Sequence, residues 1–186
     1  LANRLKKEHF RVKIFSEPTK GKWGQKIRNL VKHGRDSHDE LRWFVEDRKE
    51  DVQLNIKPAL ENNMIIIMDR YFYSSVAYQG ALGIDPDHIM ELNAFAPRPN
   101  LCFILDCDPN EAFKRIMEEK KGPTDYFEKL DNLYKVRQIF LEYFKKYPEI
   151  KIISVLETPK DTHEEVWKIT SSYLKKKKKK HLDSSF

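Results

Sequence analysis

Four short runs of β-branched and apolar residues punctuate this chain: Val12 to Phe15, Met64 to Met68, Leu101 to Leu105 and Ile150 to Val155. Runs of that length and composition read as strands buried on both faces, the pattern of a parallel sheet. Between them lie stretches with helical spacing: Gly24 to His33, Asp39 to Glu61, Tyr73 to Phe95 with a turn at Gly83 to Pro86, Asn110 to Lys121, Asp125 to Tyr147 and Asp161 to Leu174. Strand and helix alternate, which predicts an α/β fold with a central parallel sheet and crossover helices on both faces. Helix starts are signed by Asp108 with Pro109, by Asp125 with Glu128, and by Thr158, Pro159 and Asp161. Pro58, inside a long helical pattern, predicts a kink or break.

At 186 residues the chain suits one domain, and 40% hydrophobic with 34% charged residues excludes a disordered chain. No run approaches the roughly 18 apolar residues of a membrane span, and no charged-then-apolar signal opens the sequence, so a cytoplasmic location is expected. The formal charge of +6 comes from one place: Lys175 to Lys180 supply six of the 35 basic residues, leaving 29 to balance 29 acidic ones. A disordered, solvated tail over residues 175–186 is expected, and the balanced body argues against nucleic acid as a partner. Cys102 and Cys107 are an odd number apart on one predicted strand, so they point to opposite faces and cannot bridge.

In open α/β sheets, ligands gather at the carboxyl ends of the strands. Those exits are Ser16-Glu17-Pro18, Asp69-Arg70-Tyr71, Asp106-Cys107-Asp108 and Glu157-Thr158. Asp69 beside Arg70 offers a carboxylate for Mg2+ or its waters next to a guanidinium that can grip phosphate oxygens; the same pair also serves as a structural ion pair elsewhere. Downstream, Ser74 with Tyr78 and Ser75 with Gln79 are one helical turn apart, a ring flanked by groups able to read a base, or a half-buried aromatic with capping serines. Phe44 and Arg48 repeat that spacing, where a ring can stack and a guanidinium can bond a carbonyl. Read singly, Phe44 is a core residue and Arg48 part of a charged surface.

Taken together, Glu17-Pro18, Phe44 with Arg48, Asp69-Arg70-Tyr71 with Ser74-Ser75-Val76-Ala77-Tyr78-Gln79-Gly80, and the run Pro97 to Asp106 resemble the thymidylate kinase family, in order and at family spacing, from Leu1 to about Leu174. The resemblance implies a P-loop kinase-like three-layer αβα fold over residues 1–174 and transfer of the γ-phosphoryl of ATP to dTMP, giving dTDP and ADP for dTTP biosynthesis. It implies Mg2+, ATP as co-substrate, and a homodimer. By the same resemblance Phe44 stacks on thymine, Arg48 bonds a thymine carbonyl, and Arg70 holds the dTMP phosphate. Glu17, Pro18, Ser74, Ser75, Tyr78 and Gln79 line the dTMP site, with Tyr78 disfavouring a ribose 2'-hydroxyl, and Asp69 lies near the metal and the transferring phosphoryl. A lid at about residues 118–128 brings Lys120, Lys121 and Phe127.

The chain also departs from the family. It has no GxxxxGK[ST] loop among its six glycines, and Leu1 to Glu8 reads as the rest of the helix that follows that loop. The first strand and the glycine loop are therefore expected upstream of Leu1, and a polypeptide starting at Leu1 is expected to lose ATP binding. The family's Glu-Pro-Gly-Gly stands here as Glu17-Pro18-Thr19-Lys20, its lid arginine is absent from Asp125-Tyr126-Phe127-Glu128, and Asn100 replaces a frequent aspartate. A noncatalytic nucleotide-binding relative, and a kinase for another deoxynucleoside or its monophosphate, are the alternatives.

Overall fold

The computed structural model describes residues 1–30, 36–119, 126–155 and 158–183. In chain order the elements are α1 (Ala2–Lys7), β1 (Val12–Ser16), α2 (Lys22–Leu30), α3 (Ser37–Asp51), α4 (Lys57–Glu61), β2 (Ile65–Asp69), α5 (Phe72–Ala81), α6 (Pro86–Leu92), β3 (Cys102–Asp106), α7 (Pro109–Glu119), α8 (Tyr126–Glu142), β4 (Ile150–Ser154) and α9 (Pro159–Asp183). They group into two compact units, one of Ala2–Arg98 with Asp125–Phe140, the other of Pro99–Thr124 with Leu141–Phe186 and Leu1. The four strands fall where the apolar runs predict, within one residue.

In the first unit β1 and β2 run parallel, with Val12 opposite Ile65 and Ser16 opposite Asp69. This register brings both strands to an end at the same edge, so Glu17 and Arg70 are the first residues beyond the ladder. The Glu17 amide donates to the Asp69 carbonyl at 3.1 Å, tying the two exits together. Helix α2 packs on α3, α3 on α5, and α5 on α6. Leu41, Val45, Val52, Phe72, Val76 and Ile89 are buried among these helices. Each such side chain contributes roughly 1.5–3 kcal/mol by leaving water.

Helix α3 starts where Asp36 accepts hydrogen bonds from the His38 and Asp39 amides at 2.8 and 3.1 Å, satisfying donors that have no partner inside the helix. Its end carries the disruption that Pro58 predicts. Proline has no N–H, and its ring clashes with the carbonyl four residues back. The helix widens into a π turn over Val52–Ile56, where the Lys57 amide reaches the Val52 carbonyl, before α4 resumes with Pro58 in its first turn.

In the second unit β3 and β4 are parallel, with Cys102 opposite Ile150 and Asp106 opposite Ser154. Ile104, Phe113, Phe144, Ile150 and Ile153 are its buried apolar residues. Asp108 accepts from the Asn110 amide at 2.9 Å at the start of α7. Thr158 and Asp161 form a reciprocal cap on α9, the threonine hydroxyl donating to the carboxylate at 2.6 Å and accepting from its amide at 3.2 Å. Asp125, the third predicted start, lies outside the described residues.

One expectation is corrected here: α9 does not give way to a disordered tail at Lys175 but continues through the lysines to Asp183. Lysine is a good helix former, and neither Gly nor Pro interrupts the run. Both cysteines are free thiols, and burial pushes the Cys102 thiol up to about 11.

Candidate functional site

Helix α3 carries charge on its inward face. Leu41, Val45, Arg48 and Val52 follow one helical stripe, and all four are buried, so Arg48 occupies a core position between two aliphatic turns. Its side chain is 1% exposed. An isolated buried guanidinium is prohibitively costly, so its partners decide whether the arrangement can exist.

Those partners come from three separate elements. The Nε of Arg48 donates to both Glu17 carboxylate oxygens at 3.0 Å, and Nη2 pairs closely with Glu17 Oε2. Nη2 also donates to Ser75 Oγ at 3.2 Å, and Nη1 donates to Asn93 Oδ1 at 2.5 Å. Glu17 follows β1, Ser75 sits on α5, and Asn93 ends α6. The guanidinium therefore joins the strand-end loop to the helices packed beside it. The Glu17–Pro18 peptide is cis.

The loop after Glu17 is fastened from below. Asp47 accepts from the Thr19 amide at 2.7 Å and from its hydroxyl at 2.6 Å. Arg28 donates to the Pro18 carbonyl at 3.0 Å and to the Thr19 carbonyl. Gly24 makes this closure possible, since a Cβ there would lie 1.9 Å from the Thr19 carbonyl oxygen.

Three carboxylates crowd around this buried arginine. Burial raises the Glu17 pKa above the ordinary carboxylate value; Arg48 opposes this, while Asp51 and Asp47 add to it. Asp51 is raised too, first by burial and then by Asp47, with the hydrogen bond from Asn55 at 2.7 Å opposing. The Tyr71 hydroxyl is pushed up by burial and by the Glu17 charge. Its ring centroid lies 5.6 Å from the Arg48 guanidinium carbon, and its oxygen has no partner among the described residues. The same holds for Gln79 Oε1. Such buried polar atoms without partners mark a place where another polar group belongs.

At the neighbouring exit, Arg70 is exposed and adopts φ 66°. A left-handed backbone at a residue with a Cβ costs of order 1–3 kcal/mol and is concentrated at sites where function demands it. The turn sends the chain from β2 into α5 and sets the Arg70 guanidinium 5.1 Å from the Tyr78 ring centroid. Asp69 closes β2, with its side chain at the exposed edge. Ser74 is half-buried in the first turn of α5, where its amide donates to the Tyr71 carbonyl at 2.8 Å.

The structure thus brings Glu17, Arg48 and Ser75 into direct contact and Arg70 onto Tyr78. Phe44 is half-buried one turn before Arg48 on the same helix. Lys120 and Lys121 lie outside the described residues, as does the side chain of Phe127. Sequence reasoning missed Asn93 and Tyr71. The signal for Tyr71 was its place beside Arg70; for Asn93 it was only a polar residue one turn after Ile89 at a helix end.

Among the described residues no helix is long and apolar enough to cross a membrane. The family described as "Thymidylate kinase" matches residues 1–166. The chain is 39% identical to a protein of Archaeoglobus fulgidus named "Probable thymidylate kinase" over 180 residues, which is 96% of this chain and 89% of that one. It is 38% identical to one of the same name from Thermococcus onnurineus, covering 89% of this chain and 85% of the relative. Its fold is similar to the crystal structure of thymidylate kinase from Ehrlichia chaffeensis, with a TM-score of 0.72, 28% identity, and coverage of 91% and 88% of the two chains.

Proposed function

Because the chain belongs to the thymidylate kinase family, we propose that the constellation around Arg48 and Arg70 is the dTMP half of a nucleotide phosphotransferase site. The reaction is the ATP-dependent phosphorylation of dTMP to dTDP on an α/β fold of the P-loop kinase type. The observation that carries the assignment is the buried clamp of Glu17 and Ser75 on Arg48, beside the exposed Arg70 at the same strand-end edge.

In this reading Phe44 stacks on thymine and Arg48 donates to a carbonyl of the base, while Ser74 and Gln79 complete the base and sugar pocket. Tyr78 covers the sugar. Arg70 holds the phosphate, with a guanidinium suited to two phosphate oxygens at once. Transfer is in line, with no covalent enzyme intermediate, so the residues act by placing dTMP's phosphate and offsetting charge on its oxygens. Glu17 and Pro18 shape the floor and Arg70 serves as the catalytic cation. The family resemblance assigns residues 118–128, with Lys120, Lys121 and Phe127, to a lid of the kind that excludes water from phosphoryl transfer.

Mg2+ fits what the residues offer. Among the described residues no group of three or more His, Cys, Asp or Glu is gathered to hold a metal. Mg2+ needs no such cage, because it keeps several waters and is held by one or two carboxylates with substrate phosphates. Asp69 would supply the carboxylate. When bound, the ion neutralises phosphate charge. The homodimer and the cytoplasmic location follow the family resemblance, and exposed Leu54 and Leu60 between α3 and β2 supply apolar surface for a partner copy.

Equilibrium binding of dTMP, dUMP, dCMP, dGMP and thymidine to the chain tests the assignment. dTMP is expected to bind tightest, with dCMP weaker by at least about tenfold because its exocyclic amine faces a donor. Preference for another base would assign the site to a different deoxynucleotide, and equal binding of all five would remove the assignment.

A further inference from the structure

We propose that Asn93 is the positioning residue of the base-reading arginine, so that α6, which contributes nothing else to the pocket described above, sets the selectivity of the acceptor site. The proposal rests on the assignment of that pocket to dTMP.

The argument is one of donors and acceptors. Asn93 is 2% exposed and ends α6. Its Nδ2 donates to the Ile89 carbonyl at 2.7 Å. Only the nitrogen of the amide can make that bond, so the oxygen is turned the other way. That oxygen accepts from Arg48 Nη1 at 2.5 Å. Ile89 is fully buried, which makes the anchor of the amide rigid.

A guanidinium has five N–H donors. Glu17 takes Nε and one hydrogen of Nη2, Ser75 takes the other, and Asn93 takes one from Nη1. One Nη1 hydrogen remains uncommitted among the described residues. A single fixed donor pairs with a carbonyl oxygen and repels an amino group. Glu17 and Ser75 fix the plane of the rigid guanidinium but leave both Nη1 hydrogens uncommitted. Asn93 takes one of them. Its amide bonds Arg48 and the Ile89 carbonyl, so it acts through the arginine.

Three variants separate positioning from packing. Asn93→Leu keeps the branched shape and removes the acceptor; Asn93→Ala, which adds no bulk, is measured alongside, so that the result does not hang on one variant folding. Asn93→Asp keeps an oxygen for Nη1 and loses the donor to Ile89. All three are expected to melt at lower temperature. The informative quantity is the ratio of dTMP to dCMP affinity by titration. It is expected to fall about tenfold in Asn93→Leu and Asn93→Ala, and to stay within about twofold of the parent in Asn93→Asp. An unchanged ratio in the apolar variants, or the same loss in Asn93→Asp, overturns the proposal and leaves Asn93 a packing residue. A parent chain with no preference for dTMP instead removes the underlying pocket assignment, and the proposal with it.

Discussion

Arg48→Met is expected to cost the protein about 3–5 kcal/mol of folding stability, because it leaves the Glu17 carboxylate buried without a cation. Glu17 is 5% exposed and keeps no other charged partner of opposite sign in the clamp, while Asp47 and Asp51 repel it. That loss is a large share of what an ordinary domain has. Methionine fills much of the same space, so the effect reads the charge rather than a cavity.

The pH dependence has a definite sign. Glu17 already has a folded-state pKa above its ordinary 4.5, and removing Arg48 takes away the influence that opposes the shift. An acid whose pKa is raised by folding binds more protons folded than unfolded, so stability falls as pH rises from 4.5 through the folded-state value. The deficit of Arg48→Met should therefore be largest at neutral pH and shrink in acid. Adding Glu17→Gln to it should restore part of the loss, because the orphaned charge is gone. Denaturant midpoints of the two variants and the parent across that pH range check this, and a pH-independent deficit would contradict it.

Gly24→Ala is expected to be the most damaging alanine substitution among the described glycines. The added carbon would lie 1.9 Å from the Thr19 carbonyl oxygen, 2.7 Å from its carbon and 2.9 Å from its nitrogen, all backbone atoms. No side-chain rotation relieves such overlap, so α2 and the loop must move apart, at about 3 kcal/mol or more. The loop is held by Asp47 and Arg28, and its movement carries Glu17 with it. Affinity for dTMP is expected to fall at least about tenfold with the stability. Gly83→Ala is the contrasting case, since φ +97° imposes strain there while nothing lies within 4 Å of the new carbon. It should lose about 1 kcal/mol and keep dTMP binding. Melting temperatures and dTMP titrations of both variants distinguish the two situations.

The strands were legible because each is a short uninterrupted apolar run closed by a polar residue, as Ile65 to Met68 are in β2; the expectation that such runs are buried on both faces does not hold, since Ile14, Leu105 and Ile152 are exposed. The break near Pro58 was legible from its missing N–H, though not that it would take the form of a π turn. Arg48 shows where reading along the chain fails. Its neighbours Glu46, Lys49 and Glu50 are charged, so position by position it resembles a solvated surface, yet its stripe with Leu41, Val45 and Val52 is the buried one. The helix carries a second inward stripe, Glu40, Phe44, Asp47 and Asp51, three of whose members are buried acids. Buried charge on an inward face defeats the hydrophobic pattern that normally reveals it. Asn93 was illegible for another reason: its role exists only once α6 is folded against α3, and no local spacing encodes that meeting.

The central claim is that Arg70 grips the phosphate of dTMP from a strained backbone turn. Arg70→Gly tests it most directly, because glycine adopts φ 66° without strain and the substitution should leave stability close to unchanged. Titrating this variant with dTMP and with thymidine separates the phosphate from the nucleoside. The expected result is that dTMP loses its advantage and binds no better than thymidine, while thymidine binding and the melting temperature stay near those of the parent. A variant that still prefers dTMP over thymidine as strongly as the parent would contradict the account.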